Sequence, residues 1–106
     1  MIISEGNTYV LEIPLTVNEE ELDINDVSVV EFMFGNLRKV YGEEGDVTYD
    51  TYEKCFKVPL SQEETFALKG KNIIDYQARV KFKDDSVSGT CIYKGYVQET
   101  ISKEVL

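Results

Sequence analysis

Apolar and polar side chains alternate along most of this chain. Between Tyr76 and Phe82, the residues Tyr76, Ala78, Val80 and Phe82 interleave with Gln77, Arg79, Lys81 and Lys83, the period of two that gives a strand one buried and one wet face. This run predicts a central antiparallel strand. Asp84 and Asp85 follow as a turn, and a second alternating run, Val87 to Ile101, is long enough to fold back across the first. Gly89 and Gly95 interrupt that run. An isolated glycine in a strand pattern marks a bulge or a close backbone approach, so a bend is expected near Gly95.

Upstream, Tyr9, Leu11, Ile13, Leu15 and Val17 alternate with Val10, Glu12, Pro14 and Thr16, predicting a strand over 8–17 with its odd positions buried. Pro14 has no amide for a ladder, which puts this strand at a sheet edge or breaks it where the chain changes sheets. Val27 to Phe34, rich in β-branched and aromatic residues, reads as an interior strand. Gly35-Asn36 suits a primed hairpin turn into Leu37 to Tyr41. Gly42 to Gly45 is a second turn, before a short strand at Asp46 to Tyr49, and Asp50 to Glu53 is a third.

Lys54 to Leu60 directs Phe56, Val58 and Leu60 inward, and by the same parity turns Cys55 outward. Ser61 and Glu64 frame a capping box at the start of the one helical signal, Ser61 to Leu68. A helix so short needs Phe66 and Leu68 packed inward to hold it. Lys69 to Asn72 leads from it into the central strand. Together these elements predict an all-β antiparallel sandwich of about seven strands with one short helix near 61–68. An outward Cys55 and a chain without tryptophan do not suit the disulfide and tryptophan core of antibody domains.

Composition narrows the chemistry. At 106 residues, without a repeat or a linker-like stretch, residues 1–106 form one domain. The formal charge of −9, from 20 acids against 11 bases, opposes attraction to a phosphate backbone or an anionic bilayer, so neither nucleic acid nor membrane is expected as a partner. No apolar run reaches the roughly 18–20 residues of a spanning helix, and Met1 to Gly6 lacks the basic start and apolar stretch of a signal peptide. A chain without such a leader is expected in the cytoplasm. Cys55 and Cys91 allow one disulfide in principle, but both fit as small strand residues, and a protein made in the cytosol keeps them as thiols.

The chain has no histidine, which removes the commonest general base and metal ligand together. No C-x-x-C spacing and no glycine-rich phosphate loop occurs. The acidic run from Asn18 to Asp26 offers oxygen ligands to calcium, but it lacks the D-x-D-x-D-G pattern and reads more simply as a solvated loop pinned by Leu22 and Ile24. Paired carboxylates abound without the apolar context that raises a pKa. Asp75, just before the central strand, is the best placed of them. No catalytic, cofactor or metal site is therefore expected.

Two surface features point to binding. Arg79, Lys81 and Lys83 make a basic stripe on the outer face of the central strand, and Lys57 extends it from a neighbouring strand. It would suit an acidic partner or a second copy of the chain, while cross-strand pairing with Glu12 or Glu31 is the simpler reading. Tyr41, Tyr49 and Tyr52 fall at or beside turns, where aromatics stack on sugars or pack against proteins when they are not half-buried strand ends.

The order of Tyr9-Val10-Leu11-Glu12-Ile13, Val30-Glu31-Phe32-Met33-Phe34-Gly35, Phe56-Lys57-Val58-Pro59-Leu60 with Gln62-Glu63-Glu64-Thr65, and Tyr76-Gln77-Ala78-Arg79-Val80, closing at Ile101, resembles the immunoglobulin-like amino-terminal domain of bacteriophage baseplate upper proteins and related tail proteins. The resemblance covers most of the chain and contains no catalytic or ligand signature. It implies a non-enzymatic structural protein, located in the virion if phage-encoded, that contacts other virion or tail proteins, or copies of itself as a homo-oligomer. In that family further domains for trimerisation and receptor attachment follow the sandwich, whereas this sequence ends at Leu106, which favours an accessory or assembly component. The alternative is a carbohydrate-binding or cell-surface adhesion module using the loop tyrosines, and a small carboxylate hydrolase is a third reading.

Overall fold

The computed structural model describes residues 1–17, 19–68, 73–90 and 92–106. In chain order the strands are Ile2–Ser4 (β1), Tyr9–Ile13 (β2), Thr16–Val17 (β3), Glu20–Glu21 (β4), Val27–Phe34 (β5), Leu37–Tyr41 (β6), Thr48–Asp50 (β7), Cys55–Leu60 (β8), Ile73–Phe82 (β9), Val87–Gly89 (β10) and Tyr93–Gln98 (β11). A 3-10 turn covers Ile24–Asp26, and the helix α1 covers Gln62–Phe66. Six strands form one sheet in the order β1-β11-β9-β5-β6 with β10 also on β9; β2-β8-β7 form a second sheet, and β3 and β4 a small ribbon. The protein is an all-β sandwich.

The central strand is where the alternation puts it. β9 pairs antiparallel with β5 on one side and with β10 and β11 on the other. Its inward row buries Ile74, Ala78 and Val80, with Tyr76 and Phe82 packed at the core margin. The facing sheet contributes Phe56, Val58 and Leu60 of β8. Phe56 is the hub, with the rings of Phe32, Tyr41 and Tyr49 set edge-on at centroid distances of 5.5, 5.3 and 4.8 Å. Side chains of this size contribute about 1.5–3 kcal/mol each when fully buried, so one aromatic cluster joins β5, β6, β7 and β8.

Pro14 acts as expected. β2 is an edge strand, it stops at Ile13, and after Pro14 and Leu15 the chain enters the β3–β4 ribbon. The odd positions from Tyr9 to Val17 are half-buried rather than fully buried, because an edge strand is covered on fewer sides. The acidic run is only partly a loop: Glu20–Glu21 forms β4, Leu22 is buried and Ile24 packs against the core. The capping box is present, with Ser61 Oγ accepting from the Glu64 amide and Glu64 Oε1 accepting from the Ser61 amide. At Gly35-Asn36 only Gly35 uses positive φ, at 59°.

Two expectations need correction, and one strand adds to the pattern. The last run does not bend at Gly95, which stays in the ladder opposite Ile74. The ladder is interrupted between Gly89, opposite Arg79, and Tyr93, opposite Tyr76. Thr90 is held to β9 there: its amide donates to Ala78 O, its hydroxyl accepts from the Ala78 amide, and its carbonyl accepts from the Gln77 side chain. Second, Cys55 sits on the outer side of β8 yet is only 5% exposed, because Glu12, Glu53 and Lys57 lie over it. It carries a free thiol; Cys91, the other half of the possible disulfide, lies outside the described residues, as do Asn18 and the 69–72 connection. The added strand is β1, too short for periodicity to reveal, which pairs parallel with β11 and buries Ile3 completely.

Candidate functional site

Three kinds of surface compete for a function. The first is the outer face of the six-stranded sheet. Along β9 its outward residues are Ile73, Asp75, Gln77, Arg79 and Lys81, since Ile74, Ala78 and Val80 point inward. Glu31 of β5 stands opposite Arg79 and accepts from Arg79 Nη2 at 2.8 Å and from Arg38 Nε at 2.6 Å. The hydrogen bond from Arg38, then that from Arg79, holds the Glu31 carboxyl below the usual carboxylate range. Lys81 lies 3.8 Å from Asp85 in the following turn, and Lys94 pairs with Asp75. Lys83 lies beyond the end of the strand, exposed and without an ion pair among the described residues.

The basic stripe is thus partly neutralised. Arg79 is engaged by Glu31, as the pairing reading requires. Lys57 does not extend it: β8 belongs to the other sheet, and Lys57 pairs there with Glu12 at 2.5 Å and Glu53 at 3.6 Å. The stripe and Lys57 therefore occupy opposite faces of the sandwich.

On the same face, at the opposite end of β9 from the stripe, lies a feature that periodicity did not single out. Ile2, Tyr96 and Ile73 stand in register across β1, β11 and β9, all outward, at 60%, 53% and 53% exposure. Polar pairs flank this apolar row, Lys94 with Asp75 on one side and Ser4 with Gln98 on the other. A contiguous exposed apolar patch rimmed by polar groups is the usual composition of a protein contact. The sequence signal for it was present in Tyr93 to Gln98, but only the pairing of β1 and β9 on either side of β11 assembles it.

The second surface is the tyrosine group. Tyr41 and Tyr49 pack edge-on against Phe56 in the core margin, while Tyr52 stands alone on the 50–54 turn at 94% exposure. The structure does not bring the three together. That turn is held by Asp50, whose side chain accepts from the amides of Tyr52 and Glu53.

The third comprises clusters with chemical potential. Among the described residues, one group of metal-ligating types converges, Glu12, Glu53 and Cys55, on the outer face of the three-stranded sheet. Lys57 already supplies the positive charge there through its contacts to both carboxylates. Burial pushes the Cys55 thiol up, and Lys57 only partly opposes that, so the thiol is poorly ionised. Asp75 is solvent-exposed and paired with Lys94. A half-open cleft of about 230 Å³ at the end of β2 is lined by Ile13, Leu15, Phe34, Tyr76 and Tyr93 among others, without a charged side chain. No helix among the described residues is long and apolar enough to cross a membrane.

No protein-family model matches the chain, and comparison with curated proteins and with solved structures gives no match either.

Proposed function

We propose that this chain is a non-enzymatic structural protein of a phage or prophage tail, acting through protein–protein contacts on the outer face of its six-stranded sheet. The observation that carries the docking surface is the in-register row of Ile2, Tyr96 and Ile73, all large, apolar and more than half exposed. Isolated exposed apolar residues are ordinary on a protein surface; three aligned on adjacent strands with a polar rim are not. The strand order supports the immunoglobulin-like part of the reading. β6-β5-β9-β11 on one sheet and β7-β8-β2 on the other follow the C′-C-F-G and D-E-B orders of that sandwich. The tail assignment rests on the sequence resemblance.

Fractionation of phage particles from the organism that encodes the chain tests this reading. The protein is expected to band with intact tails, and an Ile73→Lys/Tyr96→Lys variant of unchanged thermal midpoint is expected to leave that fraction. A wild-type protein found only in the particle-free fraction contradicts it.

A further inference from the structure

The same face carries a more specific reading, which rests on its being a docking surface. We propose that it pairs with itself, in an isologous dimer whose two-fold axis lies in the contact plane, parallel to β9 and β11 and between them. Such an axis exchanges β9 of one copy with β10 and β11 of the other. Each outward residue then meets the counterpart of its own cross-strand neighbour.

The register makes the consequence specific. Ile73 is opposite Tyr96, Asp75 opposite Lys94, Arg79 opposite Gly89, and Lys81 opposite Val87. Across the dimer the same couples recur: an apolar residue on an apolar one, a carboxylate on an ammonium, and two cations over uncharged residues. None of these couples opposes like charges. Sheets packed face to face in this aligned manner are a common solution for covering an apolar face.

Charge singles out this face for self-association. A chain of net charge −9 repels its own copy over most of its surface. The outer side of the three-stranded sheet presents Glu12, Asp50 and Glu53 around Lys57, and the β3–β4 ribbon presents Glu19, Glu20 and Glu21. By contrast, the outward strand residues of the six-stranded sheet include Arg38, Arg79, Lys81 and Lys94 with the carboxylates Glu31 and Asp75. Two copies meet there with locally complementary charge and an apolar row at the Ile73 end of β9.

A charge-swap mixture tests the arrangement. By sedimentation velocity the wild-type chain is expected to show a concentration-dependent dimer. Lys94→Asp alone and Asp75→Lys alone each put like charges opposite one another and are expected to weaken it about tenfold or more. An equimolar mixture of the two variants is expected to recover the dimer, since each then meets the opposite sign. The intrachain Lys94–Asp75 pair is broken in both variants and stays broken in the mixture, so recovery reports the contact between copies. A wild-type chain that stays monomeric at the highest attainable concentration, or a mixture that stays monomeric while the wild type dimerises, overturns the proposal. Loss of the dimer with retained tail-fraction binding would leave the docking surface in place and assign it a different protein partner.

Discussion

Lys39 Nζ lies 2.8 Å from Glu64 Oε2 and 2.6 Å from Asp46 Oδ2, although Lys39 belongs to the inward row of β6. It stands opposite Phe32 and is 3% exposed, so an edge strand sends a charge between the sheets. Glu64 is also the reciprocal partner in the α1 capping box. One carboxylate therefore ties the helix to the sheet edge. An inward-pointing charge also blocks that edge from pairing with another chain.

Glu64→Gln keeps the capping geometry and removes the charge facing Lys39. It is expected to reduce stability by about 1.5 kcal/mol at neutral pH, the low end of the range for a hydrogen bond to a charged group because Glu64 is partly exposed, read from urea denaturation. Burial pushes the Glu64 carboxyl up, but the contacts from Lys39 and the Ser61 amide outweigh it and hold it below its ordinary value. A depressed carboxyl stabilises above its unfolded pKa, about 4.3, and that contribution fades as pH falls through the folded value. The gap between wild type and Glu64→Gln should therefore shrink at acid pH. A gap constant from pH 7 to 3 would count against the pairing.

Lys39→Met should cost about 1.5–3 kcal/mol, since it removes the charge-assisted contacts to Asp46 and Glu64, and less than the roughly 3–5 kcal/mol of leaving a fully buried charge unpaired. Its Asp46 and Glu64 partners both reach solvent. Aggregation on heating, followed by light scattering, should also accelerate because the edge loses its inward charge. Unchanged aggregation would remove the protective role.

Gly45 is required by space. A Cβ there would lie 2.0 Å from Val40 O, whereas at Gly35 the nearest atom is Ile74 Cγ2 at 3.9 Å. Gly45→Ala should cost about 2–3 kcal/mol, the upper part of the range for overpacking. Gly35→Ala should cost about 1–2 kcal/mol, from its positive φ alone. Equal losses in denaturation midpoint would contradict the distinction. The turn that Gly45 closes also carries Asp46 to Lys39.

The Glu31 carboxyl, held down first by Arg38 and then by Arg79, should titrate below the ordinary value of about 4.3 when followed by carbon NMR. Its stabilising contribution is present above that unfolded value and is lost as pH falls through the lower folded one. Arg79→Gln should move the titration upward, towards but not fully to the ordinary value, because Arg38 remains. A midpoint unmoved by the substitution would mean that Arg38 alone sets it.

Cys55 should resist thiol reagents in the folded protein, since it is buried and its thiol is raised by that burial. Peptide-level mass spectrometry after brief labelling should find it modified only in denaturant. Rapid native labelling would show that the outer side of β8 opens.

Much of this architecture was legible in the chain. β9, the break at Pro14 and the Ser61–Glu64 cap follow from period, proline and capping chemistry, which act over a few residues. What stayed hidden depends on partners distant in sequence. Lys57 and Arg79 have the same local pattern, and only sheet membership puts them on opposite faces. Cys55 has outward parity but is covered by Glu12 from β2. The row of Ile2, Tyr96 and Ile73 joins three segments, one of them a three-residue strand, too short for any periodicity. The inward Lys39 reads as an ordinary strand lysine until Asp46 and Glu64 are brought to it.

Backbone amide shifts of the isotope-labelled wild-type chain, followed on dilution from millimolar to low micromolar, test the interaction face most directly. Concentration-dependent shifts are predicted along the outer face, at Ile2, at 73–81 and at 87–89 and 93–96, with β2, β7 and β8 unmoved. Shifts confined to β2, β7 and β8, or none at any concentration, would contradict it.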